Sequence, residues 1–428
     1  MTTQLASLPG AASAAGLERP GRGTRAPPHG RHCGRMHVAL AATLMSLVLA
    51  GAPALAQRSY GPGVSDSEIK IGQTMPYSGP VSAWSTLGKA EAAYFMMINE
   101  QGGINGRKIN LLSLDDGYSP PRTVEQTRKL VEQEEVLLLF SSFGSPTNTA
   151  ILRYVNAKRV PHLFIAAIGR SWADHEHFPW SMALWQDQKT ETAVHARYVL
   201  RTRPNARIGV LYQNDDFGKE YVRTFKEALG DKAGLVIAET SYEVTDPTVD
   251  SQIVTLKSAG ADTLFTFASP KFAALSIRKT YDLGWKPYHV VAQPGSSVAS
   301  VLKAAGFHRA VGLVSASFLK DPTDPQWHND AATKEWAAWM KSHYPEGDPT
   351  DWYNVFGYTL AQALVHVLRQ CGDDLTRENV MRKATSLKAL ELPMLLPGIR
   401  IDTSSTDYLP TKEVRLMRFD GARWVAMQ

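Results

Sequence analysis

From Ile69 onward, short runs rich in Val, Ile and Leu alternate with amphipathic segments of about 10 to 20 residues, the pattern of strand and helix in turn. The apolar runs predict strands over 69–75, 107–115, 136–142, 161–166, 207–213, 234–242, 262–267, 288–292 and 311–317. Between them the periodicity predicts helices over about 86–101, 120–134, 146–158, 188–202, 218–230, 248–259, 270–284 and 297–305. Runs as continuous as Val136-Leu-Leu-Leu-Phe140 and Thr263-Leu-Phe-Thr-Phe267 suit parallel strands covered on both faces. An α/β fold with doubly wound sheets is expected.

The pattern occurs twice, over 69–182 and again over 187–315. Each half opens with a strand that ends in a polar or glycine turn, Gln73-Thr-Met-Pro-Tyr-Ser-Gly79 in one and Gln213-Asn-Asp-Asp-Phe-Gly218 in the other. Two Rossmann-like lobes are implied, and in open α/β sheets a ligand sits beyond the carboxyl ends of the strands. After residue 317 the texture shifts. Asp321-Pro-Thr-Asp-Pro325 is turn-rich, helices are expected over 331–343, 351–371 and 376–388, and Asp420-Gly421 between apolar runs signals a final strand pair. This tail is too poor in strands for a third domain, so it is expected to cross between lobes and form a hinge. Residues 66–184 with 318–397 would make one lobe, and 187–315 with 400–428 the other.

The N-terminus reads differently. Residues 1–35 are rich in Ala, Gly, Pro and Arg, Val38 to Ala52 is almost wholly apolar, and Ala54-Leu-Ala56 is a small-x-small site. These are the parts of a secretory signal, so removal of residues 1–56 and a periplasmic location are expected; the apolar run is shorter than the roughly 20 residues that span a bilayer. Met36 would begin a signal of conventional length. The leader holds five of the 46 basic residues and one of the 41 acidic ones, so the remainder is close to neutral. That removes the basic excess on which a nucleic-acid partner would depend. Cys33 precedes the apolar run, where a lipid-modified cysteine would follow it, and Cys371 alone remains, so no intramolecular disulfide forms; Cys371 reads as a buried small hydrophobe. With 44% hydrophobic and 20% charged residues, the body is that of a folded globular protein.

A strand that opens into a Ser/Gly/Pro turn and then a helix, as Ile69 to Pro161 does, leaves N–H groups at the helix start that can hold a carboxylate. Signatures of chemistry are missing: there is no nucleophile elbow, phosphate loop or paired-cysteine site. Asp174-His-Glu-His177 is a metal-like cluster, but alternate histidines in an acidic loop are usually solvated. Gly102 to Gly106 follows a predicted helix and precedes a strand, the reverse of a dinucleotide loop. A binding protein without catalytic residues, metal or cofactor is expected.

Ile69-Lys-Ile-Gly72, Ser78-Gly-Pro80, Ile98-Asn99, Gly102-Gly-Ile-Asn-Gly106, Asp115-Asp116, Val160-Pro161 and Asp215-Asp-Phe-Gly218 occur in the order and spacing of one family. Over nearly all of 66–428 the chain resembles the periplasmic solute-binding proteins of ABC importers, of the branched-chain amino-acid (Leu/Ile/Val) type. The resemblance implies a type I periplasmic-binding fold with three hinge strands, a monomer, and delivery of a small solute to an ABC permease and its ATPase. It also implies roles. Trp84 matches an aromatic that packs on the ligand; Gly144, Ser145 and Thr147 fall in the turn that holds the ligand carboxylate; Ala167 and Gly169 make a second contact; Phe217 is an aromatic of the second lobe. Plain structural readings stand beside these: Trp84 and Phe217 as core, Ser145 and Thr147 as helix caps.

Two departures bear on the ligand. Where the family carries an acid that pairs the ligand ammonium, this chain has Gln293, and where it carries a tyrosine, this chain has Ser269. A buried ammonium without a counter-charge costs several kcal/mol. The expected ligand is therefore an aromatic or aliphatic carboxylic acid without an α-ammonium, held near Phe143, Trp172 and Trp185, with Arg170 as charge partner or else as a solvated loop residue. The alternatives are a true branched-chain amino-acid binder and a periplasmic sensor that feeds a separate receptor.

Overall fold

The computed structural model describes residues 58–427; the expected leader, with Cys33 and Met36, lies outside the described residues. The first half contains β1 (Ser59–Tyr60), β2 (Glu68–Met75), α1 (Ser85–Glu100), β3 (Lys108–Asp115), α2 (Pro120–Arg128), β4 (Leu138–Phe140), α3 (Ser145–Ala157), β5 (His162–Ile165) and β6 (Ser181–Ala183). The second contains α4 (Gln188–Thr202), β7 (Ile208–Gln213), α5 (Asp216–Leu229), β8 (Val236–Tyr242), α6 (Asp250–Ser258), β9 (Thr263–Phe267), α7 (Pro270–Asp282), β10 (Tyr288–Val291) and β11 (Val314–Ser317). The tail adds α8 (Ala331–His343), α9 (Trp352–Cys371), β12 (Asp374–Leu375), α10 (Arg377–Ala384), β13 (Arg415–Phe419) and β14 (Trp424–Ala426).

One sheet has the order β3-β2-β4-β5-β6, all parallel, and the other β14-β13-β11-β10-β9-β7-β8. In the second, β8-β7-β9-β10-β11 are parallel and β13 and β14 antiparallel. The parallel strands of both sheets thus follow one order, second strand first, which is the repeat expected from the sequence. Apolar side chains on every strand explain it: β9 is buried at all five positions, as a sheet covered on both faces requires.

Differences from the expected elements have local causes. β4 is short because Ser141, with φ 50, turns the chain after Phe140. The helix expected over 120–134 is α-helical to Arg128 and then a single π turn, Lys129–Gln133. The helix expected over 376–388 stops at Ala384, because Leu387 and Leu390 pair instead with Thr403 and Ile401. The short β6, and the β1–β12 pair, carry too few apolar residues to signal a strand.

Three stretches cross between the lobes: β6 to α4, β11 to α8, and Leu395 to β13. They are tied together, since Leu396 N–H donates to Phe318 O at 2.8 Å and Thr411 Oγ1 to Leu184 O at 2.6 Å. The tail helix α9 packs along α1, and Gly357 makes this possible: a Cβ there would stand 2.7 Å from Leu87 O. Cys371, at the end of α9, is buried and unpaired.

Candidate functional site

Each sheet has its topological switch point where the strand order reverses, between β2 and β4 in one and β7 and β9 in the other, and these are the edges at which open α/β sheets bind ligands. The carboxyl ends of those strands supply a cavity between the lobes. Val81, Trp84, Tyr118, Phe143, Gly144, Ser145, Ala166, Ala167 and Ile168 line it from the first lobe, Trp185 from a crossing stretch, and Gln213, Phe217, Ser269 and Pro294 from the second. The wall is mostly apolar and ring-rich. Trp84 stacks on Tyr353 at 4.0 Å between centroids and lies 4.9 Å from Phe143 and 5.7 Å from Trp185. The free volume is about 30 Å³, room for a few waters at most. A solute the size of an amino acid enters only if the lobes part or the rings move.

The turn that follows β4 is shaped by sequence. Gly144 has φ 98, and a Cβ there would stand 2.5 Å from the Tyr118 ring. Ser145 and Pro146 then begin α3, whose first N–H groups lack helical acceptors. Ser145 Oγ donates to Ile168 O at 3.0 Å, which ties the two rim loops together.

Across the cavity Asp215 caps α5, accepting from the N–H groups of Phe217 and Gly218 through Oδ1 at 3.1 and 3.3 Å. Its Oδ2 accepts from the Tyr118 hydroxyl at 3.0 Å and from Gln213. Gln213 Oε1 in turn accepts from Tyr242, whose hydroxyl also meets Ser269. Burial raises Asp215 above the ordinary carboxylate range, and burial together with the Asp215 charge pushes the Tyr118 hydroxyl well up. At physiological pH Tyr118 is therefore the donor. Glu191, fully buried behind Trp185, is likewise committed: Oε1 accepts from Gln293 N–H at 2.7 Å and Oε2 from Tyr221 Oη at 2.5 Å.

Of the residues expected from sequence, Trp84, Gly144, Ser145, Ala167, Phe217 and Ser269 line this one cavity, as do Phe143 and Trp185. Thr147 does not: its hydroxyl turns back to Phe143 O and Gly144 O, as side chains in a first helical turn do. Gly169 and Arg170 do not either. They lie with Trp172, Gln188, Lys219 and Arg223 around an adjoining vestibule of about 320 Å³ that shares Ser145 and Ile168 with the cavity, and Arg170 is exposed there. Gln293 is 1% exposed and stands just behind the wall. Its Oε1 accepts from Trp185 Nε1 and Gln186 Nε2, both at 2.7 Å, and its Nε2 has no partner among the described residues.

Sequence reasoning missed Val81, Tyr118, Ala166, Ile168, Gln213 and Pro294 as lining residues. For Tyr118 the Asp115-Asp116 pair was the nearest signal, and its role is architectural. Asp115 holds Ser78 N–H and Gly117 N–H at 3.0 Å, and Asp116 holds Tyr118 N–H at 2.9 Å, which aims the tyrosine into the cavity.

Two parallel α/β lobes, three crossings and a ring-lined cavity between the strand ends define a two-lobed solute-binding fold of type I. The chain belongs to the periplasmic binding protein family, whose model matches residues 68–423. It is similar to Leu/Ile/Val-binding protein homolog 7 of Brucella abortus (strain 2308), 24% identical over 324 residues, covering 72% of this chain and 79% of that protein. Among solved structures it resembles a branched chain amino acid ABC transporter from Thermus thermophilus with bound valine, with TM-score 0.78, 16% identity, and 85% and 96% of the two chains covered. It also resembles a fatty acid ABC transporter substrate-binding protein from Thermomonospora curvata, with TM-score 0.74, 20% identity, and 88% and 95% covered.

Proposed function

We propose that this member of the branched-chain amino-acid transporter family captures a small aromatic or aliphatic carboxylic acid without an α-ammonium and delivers it to an ABC permease. The observation that carries this is Gln293. Trp185 has only a donor, so its bond fixes which end of the Gln293 amide is oxygen, and the free end is then an N–H₂ group without an acceptor. The resemblance implies an ammonium-pairing acid at this position, and an amide donor there offers a cation no counter-charge. Asp215 and Glu191, two buried acids bonded to residues of the cavity wall and its backing, already accept from at least two donors each. A family fold used by a fatty acid transporter's binding protein supports the view that acids without an ammonium fit between such lobes.

In this reading the rings of Trp84, Phe143, Trp185 and Phe217 hold the apolar body, and the Ser145 N–H at the open start of α3 holds the acid. Residues 66–184 with 318–397 move as one lobe and 187–315 with 400–428 as the other, and closure about the crossings forms the shape the permease recognises. Residues 1–56 act as a cleaved export signal. The valine-bound neighbour favours a second reading, a branched-chain amino-acid binder in which Asp215 or Glu191 takes the ammonium. A thermal-shift screen of the chain from Gln57 against leucine, valine, benzoate, cinnamate and short aliphatic diacids separates the two, because a ligand of the folded state raises the melting temperature. Shifts confined to acids without an amine support the first reading; a shift with leucine or valine alone overturns it.

A further inference from the structure

The described residues form a larger cavity, about 470 Å³, at the opposite pole of the second lobe. It lies by the amino ends of β10 and β11, at Tyr288 and at Gly312–Leu313, whereas the ligand cleft lies beyond the carboxyl ends of the strands. Four permanent cations, Arg203, Lys286, Arg309 and Arg418, line it with His289 and His308, and no carboxylate is among the lining residues. Of the four, Arg309 has Asp282 at 3.6 Å, while Lys286 and Arg418 have no ion-pair partner among the described residues. Such a concentration of one sign raises the free energy of the unliganded protein, and an anion relieves it.

Two further observations point to a ligand. Thr280 is 5% exposed and lines the cavity, yet its Oγ1 has no hydrogen-bond partner among the described residues. A buried hydroxyl left unpaired is costly, and an anion oxygen would satisfy it. The wall also carries Tyr281 and Val311, 51% and 59% exposed and among the most exposed large apolar side chains described. Arg203 lies over the Tyr288 ring at 4.9 Å and Arg309 over Tyr281 at 5.7 Å, so the guanidinium groups are held at the wall rather than free in solvent.

We infer that this distal cavity binds a phosphate group carried on an organic body: the cations and Thr280 take the phosphate oxygens, and Tyr281 and Val311 cover the apolar part. Arginine forks fit phosphate geometry, and several cations around one cavity can share the oxygens of a single phosphate group. The source is either a free phosphate ester or the headgroup of an anionic phospholipid, and the two share this chemistry. The site is independent of the solute cleft, with which it shares no residue.

The test uses the chain from Gln57 in calorimetric titrations with phenyl phosphate and glycerol 3-phosphate, and in flotation with phosphatidylglycerol vesicles against phosphatidylcholine vesicles. Lys286→Gln with Arg418→Gln, and separately Thr280→Val, are compared with Lys108→Gln with Lys341→Gln, which removes the same charge from exposed positions in the first lobe. The expected result is saturable binding that weakens at least tenfold in the first two variants and stays within twofold in the third. Binding of the soluble esters without vesicles assigns a free phosphate; flotation with phosphatidylglycerol that glycerol 3-phosphate competes away assigns a headgroup. Absence of saturable binding in both arms, or equal weakening in all three variants, overturns the inference.

Discussion

The hydroxyl of Tyr118, on the loop after β3, donates across the cleft to the carboxylate of Asp215, the cap of α5, at 3.0 Å. One partner stands on each lobe, so the bond exists only while the lobes are together. Tyr118 holds a φ of 60, a left-handed conformation that costs a non-glycine residue about 1–3 kcal/mol, and Asp116 keeps it there. A hydrogen bond to a charged acceptor contributes about 1.5–3 kcal/mol. Replacing Tyr118 by Phe is expected to move the closed–open equilibrium toward the open form by roughly ten- to a hundredfold. Small-angle scattering should then give a larger radius of gyration for the variant than for the parent. Identical radii would show that the bond does not hold the lobes.

Gly144 is the tightest point of the first-lobe rim. An alanine there must adopt φ 98 and place its Cβ 2.5 Å from the Tyr118 ring, so that ring has to move. Gly144→Ala is expected to lower the stability by about 1–3 kcal/mol and to weaken solute binding at least tenfold, seen as a lower melting temperature and a smaller ligand-induced rise. A variant with unchanged melting temperature and affinity would contradict this placement of the ring.

Much of the architecture was legible because its signal is local. Strands such as Val136 to Phe140 and helices such as α4 and α9 declare themselves through periodicity and caps, and the two-lobe reading followed from a repeat of polar turns. The site was legible where a residue lies in the loop or first helical turn after a strand, as Trp84, Gly144, Ser145, Phe217 and Ser269 do. Tyr118 was not, since nothing in Asp115-Asp-Gly-Tyr118 says that the tyrosine crosses to Asp215; that depends on how the lobes meet. The resemblance put Thr147 and Gly169 in the cleft, and the search for a charge partner to the ligand acid put Arg170 there. A helical turn rotates Thr147 inward to Phe143 O and Gly144 O, and the loop beyond Ile168 carries Gly169 and Arg170 out to the vestibule.

Gln293 provides a specificity switch. Its oxygen receives two donors, Trp185 Nε1 and Gln186 Nε2, both of which a glutamate would also satisfy. Gln293→Glu replaces the unpartnered amide nitrogen by a second carboxylate oxygen. The variant is expected to gain at least tenfold in affinity for leucine and to lose as much for carboxylic acids without an amine, measured by titration calorimetry. If both affinities stay put, the side chain at 293 does not face the ligand.

His162, in β5, is fully buried and neither ring nitrogen has a partner among the described residues. Burial lowers its pKa from 6.5 to about 3. The folded value lies below the unfolded one, so the unfolded chain takes up the proton first as pH falls. Stability from this residue is intact above about pH 6.5 and is lost as pH drops toward 3, on the order of 2–4 kcal/mol by pH 4. His162→Leu should therefore lose less stability than the parent between pH 7.5 and 4.5 in chemical denaturation. Equal losses would place the acid sensitivity elsewhere, for instance at His289, whose pKa burial also lowers to about 3.

The most direct measurement is a calorimetric titration with a matched pair, leucine and 4-methylpentanoate, which differ only in the α-ammonium. Binding of 4-methylpentanoate at least tenfold tighter than leucine is the predicted result, since the cleft offers donors to the carboxylate and no uncommitted acid to an ammonium. Tighter binding of leucine would contradict it, and would mean that Asp215 or Glu191 gives up a present partner to hold the amine.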